Sequence, residues 1–488
     1  MITNKALIKV LKKLSFFKSK ADPELLYVEY DNIHTQKEFA PLESEKFKAF
    51  LHYQFLDDLD VEDALISSGV LNNAVHSIMH IVNYRKSFTY ADIYSRNSGN
   101  LNIGLEYDLL NDSQQSVKID RNGWTVSSPK QRKFVSYDTS LPQVDPVPTE
   151  ASVLDLLQPY INITGDDYVL FVSWLIQAFS KGSHHALLIY AERGSGKTTF
   201  SRVIKKIVDP GTFDVTTIPK GEDSLRVLLR NNYLVPFDNV SIISDGVSDL
   251  FCGAVTGTSI VTRSLYTNNS QNVAKLHNVL VINGIGVVPP KKDLEERTLI
   301  MHLQKLTDEE LNLDFDLWEN FDIQLPEILG AIFNTLSKAM SLISTIDKSQ
   351  KKRMADSFIE MLAIAKALGV PEDEFRRIYQ QNKDHLEQIC LAAHSAQPVA
   401  PYIEPPIVVA VKEFMANVSG RKYSASAQDV FTAVHSAYSG DKALLPASAS
   451  HFSKRLDKEF SNLLKAGFRV NIDDTGAKGT QIEIIKKK

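Results

Sequence analysis

The stretch over residues 186–199, ALLIYAERGSGKTT, most constrains what this chain can fold into, because it joins a short apolar run to a glycine-containing loop and an amphipathic segment. The run is typical of a buried parallel strand. The loop is typical of a turn whose backbone N–H groups surround phosphates at a helix N-terminus. Ala191 replaces the first glycine of the usual pattern, and a small residue is tolerated at the end of a strand. The sequence therefore predicts a nucleotide-binding P-loop within an α/β fold.

Consecutive residues of this loop are predicted to bind ATP. Their backbone would surround the phosphates, the lysine would neutralise the β- and γ-phosphates, and the first threonine would place its hydroxyl on Mg²⁺. The predicted nucleotide ligands are Gly194, Ser195, Gly196, Lys197, Thr198 and Thr199, and Thr198 is also a predicted metal ligand.

Length and composition bound the class of protein. A chain of 488 residues is long enough for two to four domains with a large core. Its longest apolar run, over residues 168–179, contains Ser173 and Gln177 and falls short of the roughly 20 residues of a membrane span. Cys252 and Cys390 are far apart, which argues against a disulfide framework or a zinc site. We expect a soluble cytoplasmic protein.

Two proline-rich breaks, over residues 141–148 and 397–406, divide the chain. Before the first break we expect an α+β region that is mainly helical to about residue 90, followed by strands around an Asn122-Gly123 turn. The six lysines among the first 20 residues indicate a solvated amphipathic helix or, alternatively, an arm for nucleic acid or a partner. The predicted domains are an N-terminal region (1–140), an ATPase (150–345), a helical extension (346–396) and a tail (407–488).

Downstream of the P-loop, polar residues follow or precede apolar strands in a fixed order. Asp238 ends the strand over 234–237 and fits an acid that holds Mg²⁺ through water, although a capping aspartate on an ordinary buried strand is the alternative. A hairpin with a polar tip follows over 259–277. Asn283 then ends an apolar strand, and Arg297 precedes another.

This order resembles the AAA+ core, and specifically the superfamily 3 replicative helicases of small DNA viruses and phages, in which a hairpin precedes the sensor strand. The motifs FDNVS (237–241), VINGI (281–285) and LEER (294–297) also resemble a bacterial and phage family of primase-helicase-type ATP-binding proteins, often encoded on mobile elements. The resemblance covers about residues 150–395. It implies an AAA+ P-loop core with a helical extension.

The resemblance also implies catalytic roles. Asn283 would orient the attacking water as a sensor. Arg297 would enter the neighbouring subunit's site and stabilise charge on the γ-phosphate, a contribution of about 10³-fold or more in related phosphoryl transfers. An arginine that acts in trans requires a ring, and we expect a hexamer. The implied catalytic set is Lys197, Asp238, Asn283 and Arg297, with Asp238 also on the metal.

One position departs from the AAA+ pattern. Asn239 follows Asp238 where many of these enzymes have a catalytic glutamate. The acceptor of the water proton therefore stays open between Asp238 and Glu192. Arg353 is either a further phosphate sensor or part of a solvated basic face.

The hairpin is the predicted contact with single-stranded DNA inside the ring. A translocating ring needs repeated backbone contacts with little base preference. Because the tip around Asn269 is uncharged, Arg263 and Lys275 must supply much of the electrostatic attraction. A purely structural hairpin is the alternative.

The tail predicts a second DNA contact. Residues 407–488 carry 13 Lys and Arg against 8 Asp and Glu, a net charge of +5 in a chain of net −5. A helical pattern over 448–465 is followed by two short strands, which is typical of a winged helix that binds duplex DNA. A winged helix used only for protein contacts is the alternative. The predicted DNA contacts here are Lys454, Arg455, Lys458 and Lys478.

Two classes of function fit these features. The first is a ring-forming, ATP-dependent DNA helicase or replication initiator of a phage or other mobile element. The second is a non-unwinding AAA+ assembly switch in defence or DNA loading. The polar hairpin and the basic tail favour the first.

Overall fold

The computed structural model describes two compact units, residues 1–393 and 394–488. The described residues are 9–20, 25–32, 37–59, 66–128, 133–191, 194–257, 259–263, 271–303, 314–349, 353–396, 406–440, 442–459, 463, 466–473 and 480–486.

The N-terminal part of the first unit contains a four-stranded sheet that the sequence did not predict. The sheet has the order β3-β2-β1-β4, and two helices pack on it. Residues 45–59 and 68–85 are helical, in line with the helical spacing predicted to about residue 90, whereas residues 15–19 of the predicted amphipathic helix are a strand. Short runs rich in aromatic residues, such as LYVEYD, bury most of their side chains on this sheet. The elements are β1 (Ser15–Ser19), β2 (Leu26–Asp31), β3 (Lys37–Pro41), α1 (Glu45–Leu59), α2 (Ser68–Arg85) and β4 (Thr89–Ala91).

An antiparallel sheet follows this mixed sheet, as the alternating pattern predicts. Asp120 pairs with Gly123, so the two loop residues of the hairpin are Arg121 and Asn122, one position earlier than predicted. Gly123 opens the next strand at φ 138°, a conformation that favours glycine. Strands β5 (Ile93–Tyr94) and β10 (Lys133–Phe134) form a separate two-stranded parallel sheet. The antiparallel meander consists of β6 (Asn97–Asn100), β7 (Gly104–Asp108), β8 (Ser116–Asp120) and β9 (Gly123–Ser127).

The centre of this unit is a parallel sheet with four described strands in the order β12-β15-β11-β16. Its strands are nearly continuous apolar runs, because both faces are covered. The parallel α/β core predicted from the P-loop is thus confirmed. The strands are β11 (Ala186–Tyr190), β12 (Leu234–Phe237), β15 (Val279–Gly284) and β16 (Thr298–His302), and the helices α3 (Val153–Leu157), α4 (Gly165–Gln177), α5 (Lys197–Val208), α6 (Glu222–Asn231), α7 (Asp245–Thr256) and α8 (Lys292–Glu295).

A hairpin interrupts the sheet between α7 and β15. Its strands are β13 (Ser259–Arg263) and β14 (Gln271–Lys275), with Ser259 opposite Lys275 at the base. The strand that carries Asn283 therefore follows directly on the hairpin.

Three helices continue this unit: α9 (Asp314–Leu342), α10 (Ala355–Ala367) and α11 (Glu372–Ala396). The segment Asp316–Thr345 is long and apolar enough to cross a membrane by composition, but 67% of its apolar 18-residue window is buried inside the protein. Phe321, Ile328 and Ile332 are fully buried in the core shared with α4. This burial is typical of the core helix of a globular fold.

A buried charge cluster joins the N-terminal region to α5. The Arg96 guanidinium donates to Asp209 Oδ1 at 3.1 Å and to the carbonyl oxygens of Leu141 (2.7 Å) and Pro210 (3.0 Å). Asp209 Oδ2 also accepts from Lys205 Nζ at 2.9 Å. The proline-rich segment over 141–148 therefore lies inside a packed unit.

The second unit has a core of its own. Its sheet is antiparallel with the order β17-β19-β18, and Val430, Phe452, Leu456, Ile482 and Ile484 are buried between sheet and helices. The elements are α12 (Pro406–Ala416), β17 (Lys422–Ser426), α13 (Ala427–Ala437), α14 (Ala449–Lys458), β18 (Phe468–Asp473) and β19 (Gln481–Lys486).

Candidate nucleotide site

The loop between β11 and α5 has the backbone shape that a phosphate site needs. Gly194 and Gly196 adopt φ values of 82° and 73°, in the left-handed region that favours glycine. Gly196 is the N-cap of α5 and makes no side-chain cap hydrogen bond. The first N–H groups of this 12-residue helix therefore have no side-chain cap to compete with a phosphate.

Lys197 lies over the loop. Its Nζ donates to the carbonyl oxygen of Ala191 at 3.1 Å. Burial lowers the pKa of Lys197, and the carboxylate of Asp238 opposes this effect. Ser195 is buried, and Thr199 lies in the first turn of α5. Glu192, a candidate proton acceptor, lies outside the described residues.

The two predicted metal ligands are in direct contact. Thr198 Oγ1 donates to Asp238 Oδ2 at 2.9 Å. Asp238 follows β12 and is only 9% exposed. Hydroxyl and carboxylate oxygens at the mouth of a phosphate loop are suitable ligands for Mg²⁺, so the residues present fit this ion.

Asn283 links the P-loop helix to the strand of Asp238. It is fully buried, its Nδ2 donates to Ser201 Oγ at 3.0 Å, and its Oδ1 accepts from the Asn239 N–H at 3.2 Å. These contacts form because β15 lies between β11 and β12 in the sheet. Ser201 was missed by sequence reasoning, although it lies one turn after Lys197.

Asn239 has a backbone reason to be asparagine. Its φ is 54°, in the left-handed region that asparagine tolerates better than most residues. Its N–H also donates to Asp238 Oδ1 at 2.8 Å. A glutamate here would be strained, so the departure from the AAA+ pattern follows from the local turn.

Arg297 lies at the opposite edge of the sheet from the phosphate loop. Its carbonyl oxygen accepts from the N–H of Ala186, the first residue of β11, whereas the loop follows the last residue of that strand. A five-residue strand is about 15 Å long. Arg297 is therefore separated from the candidate nucleotide site of the same chain by the length of the strands.

The Arg297 side chain is held by an acidic residue. It forms an ion pair with Asp293 and donates from Nη1 to the Asp293 carbonyl oxygen at 2.7 Å. This contact lowers the pKa of the Asp293 carboxyl. Arg353 Nη2 donates to the same carboxylate at 2.7 Å, so Arg353 lies beside Arg297 and not at the P-loop.

The predicted DNA contacts are described only in part. Lys275 is exposed at the base of the hairpin. Lys454 is exposed on α14, and Arg455 forms an ion pair with Glu459 at 3.1 Å. Arg263 pairs with Gln271 and Lys458 ends α14, but their side chains lie outside the described part. Asn269 and Lys478 also lie outside the described residues.

The central part of the chain matches a known family. Residues 154–379 match the model of a family described as actinomycete integrative conjugative element replication protein. The chain is thus similar to a replication protein of a mobile element. This match spans the parallel sheet and every residue of the nucleotide site described above.

Solved structures show more distant likenesses. An apo form of the C-terminal region of NrS-1 is 11% identical over 99% of both chains, with a TM-score of 0.42. The SCCmec type IV Cch protein, described as an active helicase, is 11% identical over 97% of this chain and 92% of its own, with a TM-score of 0.40. No curated protein matches the chain.

Proposed function

We propose that this chain is an ATP-dependent, ring-forming DNA helicase or replication initiator of a phage or other mobile genetic element, with an AAA+ core of the superfamily 3 type. One observation supports this most strongly: Lys197, Thr198, Asp238 and Asn283 converge at the carboxyl edge of the parallel sheet. The similarity to a replication protein family of a conjugative element supports the biological role.

Each residue of this group has a distinct task in ATP hydrolysis. The N–H groups over residues 194–199 bind the phosphates, and Lys197 exchanges the Ala191 carbonyl for phosphate oxygens. Thr198 and Asp238 would hold Mg²⁺, which neutralises charge on the phosphates when it is bound. Asn283 orients the attacking water.

The position of Arg297 supports the proposal of a ring. It lies one strand length away from its own phosphate loop, so it can reach a γ-phosphate only in a neighbouring subunit. Closed homo-oligomers are the usual assemblies built on such head-to-tail contacts, and we propose a hexamer. Each ring contact would require Arg297 to exchange Asp293 for phosphate.

DNA contacts complete the proposal. Single-stranded DNA would pass Arg263, Asn269 and Lys275 of the hairpin. The second unit, which we propose is a winged helix, would bind duplex DNA through α14. The cytoplasm, where the replicating element resides, is the proposed location.

A non-unwinding switch is the second candidate, and Asn239 favours it. Asn239 places an amide where many AAA+ enzymes have a proton-accepting glutamate. Slow hydrolysis would suit a protein whose nucleotide state controls assembly. It would suit a motor that moves along DNA less well.

Strand separation decides between the two candidates. Purified protein with ATP and Mg²⁺ is given forked DNA with a free tail of either polarity, and release of the labelled strand is followed by fluorescence. A helicase separates one of these substrates, and the Lys197→Ala variant separates neither. If the protein binds both substrates in a nucleotide-dependent way but releases no strand from either, the helicase proposal is abandoned in favour of the switch.

A further inference from the structure

A polar cavity lies at the amino edge of the parallel sheet, away from the nucleotide site. It has a volume of about 360 Å³ and lies between the N-terminal region, which contributes Tyr94 and Tyr137, and residues that precede the parallel strands. Lys181 precedes β11, and Lys275 precedes β15 at the base of the hairpin. We name this cavity the amino-edge pocket, defined by Lys181, Arg230, Lys275 and His277.

The pocket has an excess of positive charge. Lys181, Arg230 and Lys275 line it, whereas Asp92 is the one carboxylate among its described lining residues. Asp92 already accepts from Lys20 at 2.8 Å. Among the residues that the structure describes, no ion pair joins Lys181 or Lys275 to a carboxylate.

The cations of the pocket repel one another. Lys181 Nζ lies 4.5 Å from the centre of the Tyr94 ring. Burial, and then the charge of Lys275, lowers the pKa of Lys181 to about 8. Burial, and then Lys181, lowers the pKa of His277 to about 4. Like charges that are held together at a cost become favourable when an anion binds between them.

We propose that the amino-edge pocket binds a phosphate ester, and specifically a backbone phosphate of the DNA strand that contacts the hairpin. The positive charges of Lys181, Arg230 and Lys275 attract a phosphodiester, and the tyrosine rings offer surfaces on which a sugar or a base can pack. The choice of DNA as the source of the phosphate rests on the proposed function, and a free nucleotide is the other source. Lys181 and Arg230 are new to the DNA-binding set.

The first test is equilibrium binding of a labelled 20-nucleotide dT strand without ATP, followed by fluorescence anisotropy. We expect the Lys181→Met/Lys275→Gln double variant to bind about 10-fold more weakly or worse. The slope of log affinity against log salt should fall in magnitude by about 1 to 1.5, as expected when two phosphate contacts are lost. Lys338→Gln, which removes an exposed lysine from α9, is the matched control and should stay within twofold.

Two further variants separate binding from folding. Lys181→Met alone should keep or raise the thermal unfolding midpoint, because it removes a repelled charge, whereas a merely structural lysine would lower it. Lys181→Arg keeps the charge and should retain DNA affinity. A loss of DNA affinity in Lys181→Arg equal to that in Lys181→Met would contradict a role for the charge.

The second arm identifies the source of the phosphate. AMP and inorganic phosphate are titrated calorimetrically into Lys197→Ala, which disables the P-loop. Binding that is lost when Lys181→Met is added would keep the phosphate pocket and assign it to a free nucleotide. DNA affinity of the double variant equal to that of Lys338→Gln, together with no heat in this arm, overturns the proposal. Because neither arm uses ATP hydrolysis, failure of the helicase proposal would leave both results unchanged.

Discussion

At the carboxyl edge of the parallel sheet, the polar side chains have hydrogen-bond partners within the site. The Thr198 hydroxyl donates to the Asp238 carboxylate, and the Asn283 side chain accepts from the backbone N–H of Asn239. At the amino edge, Lys181 and Lys275 line a cavity whose one carboxylate among the described lining residues, Asp92, is bound to Lys20. The first arrangement suits a site that uses backbone N–H groups, one lysine and a metal to bind phosphates. The second suits a site that uses side-chain charge alone. The two proposed phosphate sites of this sheet thus differ in the groups that would bind the phosphate.

The largest expected effect is at the carboxyl edge. Lys197→Ala should lower ATP turnover by about 10³-fold or more, because the phosphates lose their fixed counter-charge. Steady-state phosphate release measures this, with Lys338→Ala as the control lysine. If Lys197→Ala turns over ATP at a rate close to wild type, the P-loop assignment is wrong. The comparison of two phosphate sites at opposite edges of the sheet then fails as well.

Arg297 tests whether the amino edge serves a neighbouring subunit. Arg297→Ala should lower turnover by about 10³-fold. An equal mixture with Lys197→Ala should recover up to about a quarter of wild-type turnover, because one interface in four then combines an intact loop with an intact arginine. Normal turnover by Arg297→Ala rings would show that this arginine does not act in trans.

A substitution at Asp209 tests how much the ion pairs with Arg96 and Lys205, which also lie near the amino edge, stabilise the fold. Asp209→Asn should destabilise the first unit by about 3–5 kcal/mol, because Arg96 and Lys205 keep buried charges without their carboxylate. Although burial opposes it, Lys205 and Arg96 hold the pKa of Asp209 at about 2. Since this folded pKa is below the unfolded value of about 3.9, the stabilisation is present above pH 3.9 and is lost as the pH falls through 2.

Chemical unfolding of wild type and Asp209→Asn at pH 7 and at pH 3 checks both statements. The difference between the two proteins should shrink at pH 3. A difference that is equal at both pH values would mean that Asp209 is not stabilised as a carboxylate.

The second unit tests whether duplex DNA binds away from both edges. Removal of residues 394–488, which form a separate compact unit, should weaken duplex binding about 10-fold and reduce its salt dependence while basal ATP turnover persists. Gel-shift titration at two salt concentrations measures this. If duplex affinity is unchanged after the removal, the first unit and not the second binds duplex DNA.

The smallest effect concerns Asn239. Asn239→Glu should cost about 1 kcal/mol of stability and leave turnover no faster, because a left-handed backbone disfavours glutamate. Asn239→Gly is the matched control and should be nearly neutral. A faster Asn239→Glu enzyme would show that the missing carboxylate limits hydrolysis.

The sequence was sufficient for features that lie in one local pattern. The strand, loop and helix around Lys197 are continuous in the chain, and the apolar runs of the parallel sheet are unmistakable. Helices α1 and α2 were predictable from their helical spacing, whereas strands β1, β2 and β3 were not, because five- and six-residue aromatic runs carry too few periods to separate a strand from a helix. Lys181 and Lys275 are 94 positions apart, so only the fold could bring them to one pocket. Arg96 and Asp209 are a pair of the same kind.

Helix α5 connects the phosphate loop to the N-terminal region as a single rod. It begins at Lys197 and ends one residue before Asp209, which is bound to Arg96. Twelve helical residues span about 18 Å and cannot shorten appreciably. A rotation of this rod about its phosphate end therefore becomes a displacement at Arg96. Arg96 contacts the end of α5 that is farthest from the phosphate loop, where such a rotation produces the largest displacement. Exchange of a nucleotide at the proposed site would therefore move the N-terminal region.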